Sequence, residues 1–348
     1  MGPNRGLSGP ASAAIAGLDG ESGHPPGPSE SLSAGDAAGS VAGSHQRHRS
    51  ASDALKRRFA RACTGRSRRG VTLCRAPTGL GIAAEGVPQV LLERLLADPE
   101  APIHGGLDRP VKLSHGSVLV EAGLPLGGCG GRVAYKQYRP RNWWKGCCNL
   151  LRRSRARRDW AAARRLVALG IPTARPVLVL EPRQFRLRRR SYLATEWIVS
   201  SENLHLYAWK LAELPLGERL GRAARCAESL GRLIGRLHAR GIAHRDLKGA
   251  NLLVTDQGHG IETCLVDVAG VRFLRRLSRR RRAKNLARLA VGLSAHRWVP
   301  RTACCRFLRN YLRELPPEAA DWKRLWREAA ADSQRLRAKM QGRGEPLL

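Results

Sequence analysis

Within Ile242–Val254 of this 348-residue chain, His244-Arg245-Asp246-Leu247-Lys248-Gly249-Ala250-Asn251 sets a carboxylate, an amine and an amide in an apolar frame. Asp246 can accept the proton of an attacking hydroxyl, Lys248 can neutralise charge on a moving phosphoryl group, and Asn251 can complete a metal site. Together they spell phosphoryl transfer. That chemistry asks for a second carboxylate on the metal, a lysine for the α and β phosphates, and backbone to meet a nucleotide base.

The second carboxylate is Asp267. Leu252–Val254 reads as a short strand, Asp256-Gln257-Gly258-His259-Gly260 as a turn and Thr263–Val266 as the returning strand, a hairpin that brings Asp267 back beside Asn251. Lys136 lies in Arg132-Val133-Ala134-Tyr135-Lys136-Gln137-Tyr138, which alternates as a half-buried strand does. The next helix runs from an N-cap at Ser154 to Gly170, with Trp160, Ala163, Val167 and Leu166 as its inward stripe. Its one acid, Asp159, is expected to pair with Lys136. Gly116, in Ser114-His115-Gly116-Ser117, is the favoured phosphate-covering glycine, with the Gly127–Gly131 cluster as the other choice. Tyr192–Val199 reads as a strand leading into a hinge, where backbone around Glu196-Trp197-Ile198 would meet adenine.

The catalytic segment matches the loop of protein-kinase-like phosphotransferases at each chemically loaded position, and Val133-Ala134-Tyr135-Lys136 looks like the V-A-I-K of the third kinase strand. Where protein kinases carry D-F-G, this chain has Asp267-Val268-Ala269-Gly270, without the Phe and with the glycine one place late. Further segments narrow the likeness. Residues 133–139, 154–160, 170–176, 191–196 and 265–273, with the catalytic loop, resemble the lipopolysaccharide core kinases of the Kdo/WaaP family over about residues 110–315. The resemblance implies ATP- and Mg²⁺-dependent phosphorylation of heptose or Kdo sugars of the lipid A core at the cytoplasmic membrane face. It assigns Lys136 to ATP, Asp246 as base and Asp267 to metal. The fold it implies is α+β and bilobal, with a small antiparallel N-lobe sheet and a reduced, mainly helical C-lobe.

Composition is consistent with one such domain behind a leader. Residues 1–75 read as a disordered Gly/Ser/Ala/Pro- and then Arg-rich leader, 76–200 as the N-lobe, 201–340 as the C-lobe and 341–348 as a tail. A helix from about Gly217 to Arg240, striped by Leu220, Ala224, Ala227, Leu230, Ile234 and Leu237, delivers the chain into the catalytic loop, and helices at about 280–295, 302–314 and 319–340 close the C-lobe. The chain from 268 onward, lacking A-P-E, is short for a full activation segment and peptide-docking helices. No run approaches the ~18 apolar residues of a spanning helix, so a cytoplasmic location is expected, with the inner membrane face as a docking place. Nine cysteines without C-x-x-C spacing read as reduced thiols.

The formal charge of +34 must attract polyanions. Aromatic interleaving and a recognised nucleic-acid fold are absent, so anionic lipid or a phosphorylated glycolipid acceptor is the expected partner. The segment Arg272–Lys284, with Phe273, Leu274 and Leu277, is the expected membrane contact. A protein Ser/Thr kinase is the alternative. A pseudokinase would lack one of Lys136, Asp246 and Asp267, and a basic binding module would leave the catalytic loop unexplained.

Overall fold

Eight strands form one antiparallel sheet: β1 (Thr64–Ser67), β2 (Val71–Ala76), β3 (Gly79–Ala84), β4 (Pro110–Ser114), β5 (Ser117–Gly123), β6 (Arg132–Tyr138), β7 (Pro176–Pro182) and β8 (Ser191–Glu196), in the order β1-β2-β3-β7-β8-β6-β5-β4. The computed structural model describes residues 64–67, 70–105, 110–114, 116–126, 131–139, 153–183, 190–258, 260–319 and 321–343. The first 50 residues of the expected leader, His115, residues 127–130 of the second glycine cluster and Arg186–Arg189 lie outside them.

Period-two alternation divides the sheet into two apolar faces. Tyr135, Leu178, Leu180, Tyr192 and Ala194 point one way and meet Leu91, Leu92, Leu95 and Leu96 of helix α1 (Gln89–Ala97). Tyr138, Val179 and Leu193 point the other way and meet Ala156 and Trp160 of α3 (Arg155–Ala168), the short α2 (Ala101–His104) lying between the two helices in sequence. The strands β1 and β2 correct the leader boundary at residue 75. Val71-Thr72-Leu73-Cys74-Arg75-Ala76 pairs along its length with β3, and Cys74 is wholly buried. Flanking Gly and Arg residues conceal so short a strand in the sequence.

Helix α3 joins the lobes. Ser154 caps it, its hydroxyl accepting from the Arg157 N–H. Its first half packs on the sheet, and Ala163 and Leu166 enter the core of the second lobe. Arginine-rich and acid-poor, it is held by burial: Trp160 and Leu166 each stabilise by roughly 1.5–3 kcal/mol, more than repulsion between screened surface charges removes. Val167, expected in the stripe, is 40 % exposed, because the helix turns Leu166 inward in its place.

The second lobe comprises β9 (Ser201–Asn203), α4 (Leu204–Glu213), α5 (Leu216–Ala239), β10 (Ile242–His244), β11 (Leu252–Asp256), β12 (Ile261–Leu265), β13 (Val271–Phe273), α6 (Arg279–Leu293), α7 (Arg301–Arg313) and α8 (Trp322–Gln341). Helix α5 buries Leu230, Leu233, Ile234 and Leu237, while Leu220, expected in the same stripe, is exposed one turn into the helix. Gly231 and Gly235 allow α7 to lie against α5: a Cβ on Gly231 would stand 2.5 Å from the Phe307 carbonyl, and one on Gly235 2.7 Å from Glu314 Cβ. The lobes have separate apolar clusters but form one compact unit, Ala54–Leu348.

Candidate active site

Two antiparallel ladders bring the polar groups together. His244 of β10 pairs with Val271 of β13, and Leu252 of β11 with Leu265 of β12. The Arg245 N–H donates to the Gly270 carbonyl (2.9 Å) and the Val266 N–H to the Asn251 carbonyl (3.0 Å). The segments 245–251 and 266–270 are thus tied at both ends, and Asp246 and Asp267 lie within them.

His244 fills the space between these segments. Its Nδ1 accepts the Asp246 N–H at 3.2 Å, so the ring proton belongs on Nε2, which donates to the Asp267 carbonyl at 2.6 Å. Burial keeps its pKa below the usual value, leaving the neutral tautomer this bridge requires. The late glycine now has a reason, because a Cβ on Gly270 would stand 2.8 Å from Cε1 of that ring.

Asp246 is 60 % exposed, with its Oδ2 3.4 Å from Lys248 Nζ. Asn251 is buried, and its Nδ2 donates to the Asp246 carbonyl at 2.8 Å, with Asp246 Oδ2 at 3.4 Å. Using Nδ2 in this way leaves Oδ1 as the atom able to take a cation. Asp267 caps the one-turn helix Val268–Gly270 by accepting from the Ala269 N–H, and its Oδ1 lies 3.4 Å from Lys136 Nζ. Burial alone would raise the Asp267 pKa, but the Lys136 ammonium and the Ala269 N–H hold it below the ordinary carboxylate value. Asp267 is therefore an ionised carboxylate at neutral pH.

The expected Lys136–Asp159 pair is not formed. Asp159 accepts the Tyr138 hydroxyl at 2.7 Å, and Lys136 turns to Asp267. The Asp159 side chain is one methylene shorter than Glu, and Tyr138 lies on the same face of β6 as Lys136, so the hydroxyl meets the carboxylate first. Burial raises the Asp159 pKa even though that hydrogen bond and nearby Lys136 oppose it.

Gly116 lies in the turn between β4 and β5, with its carbonyl accepting from the Arg139 N–H at 3.0 Å just past the strand of Lys136. Gly131 ends the connection at the opposite end of the β5–β6 pair, where its carbonyl accepts the Leu124 N–H at 2.6 Å. Glu196 ends β8 with its carboxylate in solvent, and its N–H is taken by the Arg175 carbonyl (2.8 Å), as that of Trp197 is by Arg132 (3.2 Å). The N–H groups of Glu196 and Trp197 are thus engaged within the fold, whereas the Ile198 N–H has no such backbone partner among the described residues.

Three positions had no signal in the motifs. Asn285 Oδ1, from α6, accepts the His244 N–H at 2.9 Å and His238 Nε2 at 3.3 Å, with Tyr311 at 2.9 Å on His238 Nδ1. Thr173 Oγ1 donates to the Leu265 carbonyl at 2.6 Å, tying the segment after α3 to the strand before Asp267. His205 of α4 packs on Gly249, where a Cβ would stand 2.7 Å from its ring. Only a tertiary structure pairs residues so far apart in sequence. Among the described residues there is no cluster of three His, Cys, Asp or Glu side chains able to hold a metal, and Cys226, Cys264, Cys304 and Cys305 are free thiols.

The profile of the lipopolysaccharide kinase (Kdo/WaaP) family matches residues 134–311, about half of the chain. The chain belongs to that family. It is a kinase, a phosphotransferase with a hydroxyl acceptor, and family membership implies ATP as donor. The lipopolysaccharide core heptose(I) kinase WaaP of Pseudomonas aeruginosa is 29 % identical over 201 residues, 55 % of this chain and 68 % of that protein. A solved structure of WaaP in complex with acyl carrier protein aligns with a TM-score of 0.46 at 22 % identity, covering 68 % of this chain and 92 % of that one. The family match spans Lys136, Asp159, Glu196 and the catalytic segments and leaves α8 outside it.

Proposed function

We propose that this kinase transfers the γ-phosphoryl group of ATP to a hydroxyl of a heptose in the lipopolysaccharide core, with Kdo as the other candidate sugar. The observation that carries the reading is the convergence of Lys136, Asp246, Lys248, Asn251 and Asp267, which come from three separate segments and meet through hydrogen bonds and ion pairs. Heptose is favoured over Kdo because the similar Pseudomonas protein is a heptose kinase.

Lys136 holds the α and β phosphates, and the turn at Gly116 covers them. The base lies against backbone at Ile198–Ser200, where Ser200 takes the left-handed φ of 54° and the Ser201 hydroxyl donates to the Ile198 carbonyl. Asp246 accepts the proton of the sugar hydroxyl as it attacks phosphorus, and Lys248 neutralises the charge that moves to the transferred oxygens. Asp267 and Asn251 Oδ1 are hard oxygen donors that would hold Mg²⁺, and the ion would supply charge neutralisation at the phosphates. Asp159 supports β6 through Tyr138 and does not contact the nucleotide.

No described helix is long and apolar enough to cross a membrane. A lipid-borne acceptor then places the enzyme on the cytoplasmic membrane face, drawn there by its cationic surface. The test is ATP turnover with lipid A core acceptors and with protein acceptors in parallel. Transfer to the core oligosaccharide alone is expected. Transfer to proteins alone would favour the Ser/Thr kinase reading.

A further inference from the structure

Two indoles stand half in water on α8. Trp322 is 46 % and Trp326 52 % exposed, one helical turn apart. At ~100° per residue, Trp322, Lys323, Trp326 and Arg327 share an arc of about 140°. The two acids of the helix face the other flank and are engaged there: Glu328 with Arg279 (2.8 Å) and Arg324 (3.6 Å), and Asp332 with Arg335 (2.7 Å). The Lys323 ammonium lies over the Trp322 ring at 5.9 Å, and Arg327 Nε donates to the Lys323 carbonyl. Among the described residues, neither cation has an acidic partner. This flank is apolar, cationic and free of carboxylates, while Leu325 and Ser333 anchor the helix to the core.

Two of the three apolar side chains in the segment expected to touch the membrane are engaged within the fold. Leu277 is buried, Phe273 lies under the Arg165 guanidinium at 4.1 Å, and the Leu274 N–H is bonded to the Gly241 carbonyl. Arg282 is buried too, whereas Arg280, Arg281 and Lys284 are exposed at the start of α6, to which α8 is fixed by the Arg279–Glu328 pair. An indole has an apolar body and one N–H donor, which suits the headgroup layer of a bilayer better than either water or hydrocarbon. The charge of +34 supplies the attraction to an anionic surface.

We propose that the first two turns of α8 are a membrane foot, with Trp322 and Trp326 entering the headgroup layer of an anionic bilayer and Lys323 and Arg327 meeting its phosphates. The foot rests on the glycolipid reading for its purpose, since a lipid-borne acceptor is met only at a membrane.

The test is sedimentation of the full chain with vesicles of phosphatidylethanolamine and phosphatidylglycerol, against phosphatidylcholine alone. Wild type is expected to bind the anionic vesicles. Trp322→Ala/Trp326→Ala should weaken that binding about tenfold or more, Trp322→Phe/Trp326→Phe less, and all three proteins should melt together because the indoles are half in water. Lys323→Gln/Arg327→Gln should weaken binding and flatten its salt dependence. The proposal is overturned if wild type ignores anionic vesicles, if the double Ala variant sediments like wild type, or if that variant changes the solution mass, which would make the flank an interface between copies. Phosphorylation of a detergent-dispersed core acceptor separates the two readings. Its absence in wild type beside indole-dependent vesicle binding would remove the glycolipid reading and leave the foot.

Discussion

Asp246 and Asp267 stand in different surroundings and should fail differently. Asp246 is mostly exposed, so Asp246→Asn should keep nucleotide binding while transfer falls by about 10²–10⁴-fold, as when a general base is lost. Asp267 is half-buried beside Lys136, and Asp267→Asn removes the charge that would hold Mg²⁺-ATP, so nucleotide affinity itself should fall. Binding of an ATP analogue measured beside turnover distinguishes the two, and wild-type transfer by both variants would refute the mechanism. Gly270→Ala is a steric test: the His244 ring is held by the Asp246 N–H and the Asp267 carbonyl and cannot swing from the new methyl, so a loss of about 1–3 kcal/mol in urea unfolding is expected. The carboxylates and lysines were legible because the catalytic loop is contiguous and its chemistry is spelled in side-chain types. The partner of Asp159 was not, since the choice between Lys136 and Tyr138 depends on side-chain reach across β6 and α3.

Among the elements, α5 was readable from its 3.6-residue stripe, and α6, α7 and α8 were readable to within a few residues. Strands β1 and β2 were not, because strand signals over four to six residues with Gly and Arg beside them resemble linker. Deleting residues 1–75 should therefore destabilise the protein by leaving β3 without its neighbour and removing buried Cys74, a loss to be measured in thermal unfolding; unchanged melting would restore the leader reading. The α5–α6 contact carries a pH dependence. His238 is wholly buried and its pKa is pushed down to about 3, so from pH 6.5 down to 3 the unfolded chain binds a proton that the folded one refuses. Stability should fall as pH falls through that window, by about 2 kcal/mol between pH 7 and pH 5 from this group. His238→Gln should show a shallower pH slope in urea unfolding, and an unchanged slope would place the titration elsewhere.

At the scale of the whole molecule, two salt effects of opposite sign act on the fold. Screening weakens surface ion pairs such as Arg306–Glu228 and Lys210–Glu202, each worth only about 0–1 kcal/mol. Screening also relieves repulsion among cations. The chain has 62 Lys and Arg against 28 Asp and Glu, so one-to-one pairing of every acid would still leave a charge of +34 uncompensated. Repulsion is therefore the larger quantity, and the melting temperature should rise as salt is increased from low ionic strength through about 0.15 M, where the Debye length falls to ~8 Å. Anionic vesicle binding should fall over the same range, because it uses the charge that destabilises the free protein. A melting temperature that falls with salt would mean that the arginines are held in favourable networks, and that the positive surface is a structural device before it is a membrane-seeking one.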